Sequence, residues 1–249
     1  MAIFMMGAGL TGCKKTQEEA STDIPPAPKS TQTMTYSGKE PVGFQFELPA
    51  KGEEIAVLHT EKGDIRLRLF PDKAPNAVNN FKALIKVGYY DGITFHRVID
   101  DFMIQGGDPT GTGSGGKSIW GTDFGYEFNT NLLHFRGALS MAHSQLAASN
   151  ASQFFIVNAR PAGEAAIRQT LSQYGQHGYD TSQVTDEIIK LYGEKGGTPW
   201  LDGIMNSEGH TVFGQAFADD MDVVDAIAAT ENTGETVKIT RAELVKYEG

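Results

Sequence analysis

The sequence predicts a mainly β domain, an antiparallel barrel that is closed or nearly so. Three observations carry that expectation. The apolar runs are short, some alternate at period two, and turn residues separate them. Helical periods are few and do not alternate with strands as a parallel sheet would require. Glycine is abundant, 29 of 249 residues, which is about 12% against roughly 7% in ordinary domains. It follows no fibrous repeat, so it belongs to tight turns and long structured loops.

The chain is long enough to bury a sizeable core in one large domain or two small ones. Lys and Arg total 21 against 31 Asp and Glu, a formal charge of -10. That balance argues against a strongly basic nucleic-acid surface. Cys13 is the only cysteine, which excludes an intrachain disulfide, a CxxC redox pair and a cysteine zinc site.

The apolar opening, MAIFMMGAGL, is far short of the ~20 residues that span a bilayer. Leu10-Thr11-Gly12-Cys13 resembles the bacterial lipobox, where a signal peptidase cuts before the cysteine and the thiol carries lipid. On that reading residues 1–12 are a lipoprotein signal segment and Cys13 is lipidated. The protein then sits at the extracytoplasmic face of the cell membrane; the alternative is an ordinary N-terminus on a cytoplasmic protein. Residues 13–50 are rich in Thr, Ser, Pro, Glu and Lys and poor in large apolar residues. They read as a flexible linker, since they bury too little surface to offset ordering entropy. Residues 51–249 form the folded domain.

Order is expected from near Ile55, with strands at Glu54–His59 and Asp64–Phe70 joined by a hairpin turn over Glu61-Lys62-Gly63-Asp64. Ile65, Leu67 and Leu69 alternate with Arg66 and Arg68, the mark of a half-buried strand. Ala74, Ala77, Val78, Phe81, Leu84 and Ile85 share helical spacing, so a helix follows over Ala74–Val87, stopped by Gly88. Further strands are expected at Thr94–Val98, Met103–Gly106, Ala138–Met141 and Phe154–Val157. Two helical blocks, Glu164–Gln173 and Ser182–Tyr192, flank a loop. A strand at Thr211–Phe213, a helix at Asp220–Ala228 and a strand at Thr236–Thr240 complete the order.

Six histidines are scattered with no HExxH and no pair at ligand spacing, so no metal site is expected. No GxSxG elbow supports a serine hydrolase. The run Gly111-Thr112-Gly113-Ser114-Gly115-Gly116 lacks the GK[ST] ending of a phosphate cradle and reads as a structural or ligand-lining loop. No cofactor is called for. What remains is polar His96, Arg97 and Gln105 interleaved with Phe95, Phe102, Met103 and Ile104, followed by the blocks GALSMAHS, ASQFFIV, WLDG and GHTVFG.

Those blocks closely resemble the cyclophilin-type peptidyl-prolyl isomerases. The family pattern FHRxIxxFMxQGGDxTxxxGxGG is matched from Phe95 through Gly116. LSMAN and SQFFI appear as Leu139 to His143 and Ser152 to Ile156, and WLDG…HxVFG as Trp200 to Gly203 and His210 to Gly214. The resemblance implies a closed eight-stranded barrel capped by two helices, with a proline groove on its outer surface. It implies Arg97, Gln105 and Phe102 as catalytic residues, with Gln105 positioning the substrate or Arg97. It assigns substrate binding to His96, Met103, Met141, Ala142, His143, Gln153, Phe155, Trp200, Leu201 and His210, Trp200 being the position associated with cyclosporin. Three departures stand out. His143 replaces the family's Asn, a helical insertion of about residues 162–198 precedes WLDG, and Ile204–Gly209 separates WLDG from His210.

The implied reaction suits these residues. An X-Pro bond turns in about tens to hundreds of seconds unaided because twisting breaks amide resonance. No covalent bond is made or lost, so an apolar slot and one fixed donor suffice. As the proline nitrogen becomes pyramidal it gains lone-pair character, which a guanidinium stabilises more than the planar state. The expected partners are proline-containing peptides or unfolded exported proteins, with cyclosporin as a further ligand, no nucleic acid, membrane contact through the lipid, and a monomeric state. The alternative function is a peptide-binding scaffold with little catalysis.

Overall fold

The computed structural model describes residues 24–28, 32–144 and 149–249. Residues 1–12 and Cys13, on which the lipobox reading falls, lie outside the described residues. Ten strands are described: β1 (Met34–Tyr36), β2 (Glu54–Thr60), β3 (Gly63–Leu69), β4 (Arg97–Ile99), β5 (Met103–Gly106), β6 (Glu127–Asn129), β7 (Ala138–Met141), β8 (Phe154–Val157), β9 (Val212–Ala216) and β10 (Ile239–Lys246). The four α-helices are α1 (Pro75–Lys86), α2 (Glu164–Gln176), α3 (Asp186–Lys195) and α4 (Met221–Ala228).

Eight strands form one antiparallel sheet in the order β10-β2-β3-β9-β7-β8-β5-β4. The alternation read in β3 decides its faces. Ile65, Leu67 and Leu69 are buried, while Arg66 turns out to Asp220 at 2.7 Å and Arg68 to Glu53 at 3.1 Å. The buried faces wrap a core of Leu58, Ile65, Leu67, Ile104, Leu139, Phe154, Ile156 and Phe213. Two helices cap it. From α1 come Val78, Phe81, Leu84 and Ile85; from α4 come Val224, Ile227 and Ala228. Pro75 opens α1, where its missing N–H costs nothing.

The expected closed barrel is not what forms. The sheet is an open, strongly curled half-barrel whose free edges are β4 and β10. Among the described residues the seam is crossed by a single bridge, Thr94 with Lys238, and by bonds between the flanking segments, such as Phe95 N–H to Val237 O and Ile239 N–H to Ile93 O, both 2.9 Å. The physical reason lies in β4, which holds three residues before the chain turns back into β5. Its edge is answered from elsewhere. α4 and the turn after it pack against β4, and Asp100 N–H donates to Glu231 at 2.7 Å. An edge covered by helix and side chain needs no strand partner.

The chain is built onto the domain before the expected start near Ile55. β1 pairs in parallel with β6, a two-stranded sheet the sequence did not reveal. Phe44 packs edge-on to Phe70 at 5.4 Å, and buried Gln45 donates to Leu133 O at 3.0 Å and to Gln215 Oε1 at 2.7 Å.

The insertion is helical, as expected. Apolar residues of α2 and α3, Ile167, Leu171, Ile188, Ile189 and Tyr192, close a second core with Leu133, Phe135, Ile204 and Met205. The hairpin is backbone-tight. A side chain at Gly193 would place its Cβ 2.6 Å from the Glu164 nitrogen. Among the described residues no helix is long and apolar enough to cross a membrane.

Candidate active site

Strand register assembles the site on the outer face of the sheet. Arg97 on β4 pairs with Gln105 on β5, Gln105 with Phe155 on β8, and Phe155 with Ser140 on β7. Because side chains alternate along a strand, Ile104, Ile156 and Leu139 from the same strands face the core. Between β4 and β5 the chain turns over Asp100 and Asp101. Asp101 has φ 58°, a left-handed conformation that aspartate tolerates better than most residues. Phe102, next in line, comes to lie under the Arg97 guanidinium, 5.7 Å from carbon to ring centre.

Arg97, Phe102, Met103, Gln105, Ala142, His143, Phe155, Leu201 and His210 surround a cavity of about 300 Å³. Arg97 Nη1 donates to Gln105 Oε1 at 3.3 Å and approaches the Met103 sulfur at 3.7 Å. Gln105 Nε2 in turn donates to Gln153 Oε1 at 2.9 Å. Gln153 Nε2 donates to Gly113 O at 3.0 Å and Gly115 O at 2.8 Å. An amide relay thus ties the arginine to the glycine loop. That loop is organised by Asp108, which accepts backbone N–H bonds from Thr110, Thr112, Gly113 and Gly115. Burial would raise the Asp108 pKa, but those donors and the Thr110 hydroxyl outweigh it and hold it at about 2.

The far wall is imidazole. His210 and His143 stack with ring centres 4.0 Å apart, and Phe155 meets His210 edge-on at 5.2 Å. Burial, then the neighbouring His143 and His134, push the His210 pKa down to about 3. His210 is therefore neutral at physiological pH, with Nδ1–H donating to Met141 O at 3.0 Å. The six residues before it do not displace it. His210 N–H donates to Leu201 O at 2.9 Å and Gly209 N–H to Asn206 O at 2.9 Å, so the segment closes on itself.

Not every candidate residue faces the cavity. Met141 is buried in the main core and offers the site only its carbonyl. His96 lies against the glycine loop, its ring 3.7 Å from where a Gly113 Cβ would be. Gln153 borders the adjoining polar groove with Gly113, Ser114, Gly115 and Gly116. Trp200 stands at the rim, its ring 6.3 Å from that of Phe102. Cys13 lies outside the described residues.

Sequence reasoning missed a buried relay behind Phe155. His134 Nδ1–H donates to Asp202 Oδ1 at 2.8 Å, and its Nε2 lies 2.9 Å from Ser140 Oγ, within hydrogen-bond distance. The Tyr192 hydroxyl donates to Asp202 Oδ2 at 2.6 Å. The His134 ring is nearly parallel to Phe155 at 5.9 Å. Asp202 and Ser140 sat inside the WLDG and LSMAH blocks, which was a signal; Tyr192, in the insertion, had none.

Comparison with known proteins agrees with this geometry. The model of the "Cyclophilin type peptidyl-prolyl cis-trans isomerase/CLD" family matches residues 55–244. A protein of Staphylococcus aureus (strain USA300) described as a peptidyl-prolyl cis-trans isomerase is 52% identical over 165 residues, 66% of this chain and 76% of that protein. A Staphylococcus epidermidis protein described likewise is 52% identical over 159 residues, 64% of this chain and 73% of that one. A Cryptosporidium parvum cyclophilin type isomerase crystallised in the presence of the dipeptide Ala-Pro superimposes with a TM-score of 0.55 at 28% identity. The match covers 78% of this chain and 99% of that one. The chain belongs to the cyclophilin-type peptidyl-prolyl cis-trans isomerases and is an isomerase of X-Pro bonds.

Proposed function

We propose that X-Pro bonds are turned in the 300 Å³ cavity by a non-covalent, arginine-assisted route. One observation carries this reading. Among the described residues the one guanidinium lining that cavity, from Arg97, stands at an apolar floor made by Phe102, Met103, Phe155 and Leu201. The floor takes the pyrrolidine ring. Arg97 donates to the proline nitrogen as it pyramidalises, an interaction the planar ground state lacks. Gln105 holds the arginine, and Ala142, His143 and Gln153 border the peptide on one side. His210, neutral and stacked, adds a wall without a competing charge.

The test is the rate of cis-to-trans conversion of an X-Pro peptide. Arg97→Ala is expected to lose about 100- to 1,000-fold in kcat/KM, the usual cost of removing one transition-state donor. Arg97→Lys, with a point charge in place of a planar fork, recovers only part. An Arg97→Ala enzyme as fast as wild type would sink the mechanism.

The finer setting rests on the sequence. The LTGC motif supports lipid attachment at Cys13, an extracytoplasmic location and exported, unfolded chains as substrates. The accessible Trp200 rim supports cyclosporin as a ligand. Mass spectrometry of the native protein is expected to find a lipid-modified Cys13 as the first residue; an intact, unlipidated Met1 overturns the tether.

A further inference from the structure

Beyond Phe102 the rim of the cavity continues as an aromatic stack that includes the insertion. The Trp200 ring lies 6.3 Å from Phe102 at 27°. On Trp200 lies Tyr174 of α2, 5.4 Å between ring centres and only 2° from parallel. Tyr179, in the loop after α2, closes the series edge-on to Tyr174 at 4.9 Å. These rings are half-buried. Among the described residues neither the Trp200 indole N–H nor the Tyr174 hydroxyl has a hydrogen-bond partner, and neither is sealed from solvent.

The stack is fixed rather than loose. Tyr192 ties α3 to Asp202, two residues beyond Trp200, at 2.6 Å. Asp180 N–H donates to Met205 O at 3.0 Å, pinning the loop that carries Tyr179. Leu171 and Ile167, one and two turns before Tyr174, are buried in the second core. A ring held in place this way loses little entropy when a ligand side chain meets it. The two ends of the groove also differ in chemistry. One is lined by Gln105, Gln153 and the glycine loop, polar and small; the other by Leu201, Trp200 and Tyr174, flat and aromatic.

We propose that Tyr174 extends the proline cavity by one peptide subsite, a shelf on Trp200 that takes an aromatic side chain of the residue adjoining proline. The insertion is then a specificity element. It selects, among X-Pro sequences, those carrying a ring on the side that leaves the cavity past Leu201. This inference rests on the cavity being the place of isomerisation.

The experiment compares kcat/KM on four X-Pro peptides: phenylalanine or alanine before proline, and phenylalanine or alanine after it. One pair is expected to favour phenylalanine by about three- to ten-fold, the gain of one added aromatic contact, through KM with kcat little changed. In Tyr174→Ala that preference falls to about one. Tyr174→Phe restores it, because the ring and not the hydroxyl forms the shelf. Tyr174→Leu keeps apolar bulk over Trp200 without a ring, and it too is expected to lose the preference, which guards against a misfolded alanine variant. A preference intact in folded Tyr174→Leu or Tyr174→Ala, or absent from both wild-type pairs, overturns the subsite. The alanine peptides report the cavity alone; wild type turning over none of the four overturns the isomerisation site and the shelf with it.

Discussion

The Arg97 guanidinium is held by two long contacts, 3.3 Å to Gln105 and 3.7 Å to Met103, which leaves most of its N–H fork for a ligand. The opposite design serves the residues beneath. Ser140, His134, Asp202 and Tyr192 spend their polar atoms on one another and meet no solvent. Tyr192→Phe therefore leaves a buried carboxylate oxygen short of its donor. That is expected to cost about 1.5–3 kcal/mol, read as a fall in the denaturation midpoint in urea at constant slope. An unchanged midpoint would mean that the hydroxyl contributes nothing. The cavity-lining residues were legible because Arg97, Phe102, Gln105 and Phe155 sit in blocks whose residue types are unusual together. The relay was not, since His134 and Asp202 are 68 positions apart and a buried histidine carries no periodic signature. Met141 shows the converse, a residue picked for its block whose side chain serves the core.

Among the elements, α1 has the most unusual terminus. Its first turn has no acidic residue of its own. Instead Glu127 reaches across from β6 and accepts from Asn76 N–H at 3.1 Å and Ala77 N–H at 3.0 Å. Burial dominates these donors and pushes the Glu127 pKa up to about 7. The folded state therefore binds a proton more tightly than the unfolded one does. Its contribution to stability is complete below the unfolded value near 4.5 and is lost as pH rises to about 7. The slope across that window is expected to vanish in Glu127→Gln, measured by denaturation midpoints at pH 5 and pH 8. Persistence of the slope in the variant would assign it to another group. Most elements were legible from period alone, β3 and α1 above all. β1 and β6 were not. Met34-Thr35-Tyr36 alternates over only three residues inside a polar run, and Glu127-Phe128-Asn129 is buried at all three positions and does not alternate. β10 begins later than expected, at Ile239, and runs on to Lys246, because its partner β2 offers a register as far as Glu54.

At the scale of the molecule, the eight strands of the main sheet and the helical caps followed from the sequence, but closure did not. Closure depends on whether the first and last strands of the sheet meet, and nothing local encodes that distance. The short β4 and the covering α4 decide it. The two edges are held by scattered backbone bonds, whereas β2 and β10 share a register from Glu54 to Thr60. Amides at Phe95 and Ile239, whose bonds cross the seam, should exchange with deuterated solvent by local opening, well before those in the middle of β2. Equal protection at both places would show a sheet that opens only as a whole.

Arg97 belongs to β4, one lip of that seam. The other strand residues of the cavity, Met103, Gln105 and Phe155, belong to β5 and β8, further from the split. The guanidinium of the proposed mechanism therefore sits on an edge strand, paired on one side with β5 and joined across the seam by scattered backbone bonds. Warming should silence the enzyme reversibly while the aromatic core is still intact, so that the temperature limit of catalysis is set by local opening at this lip rather than by melting.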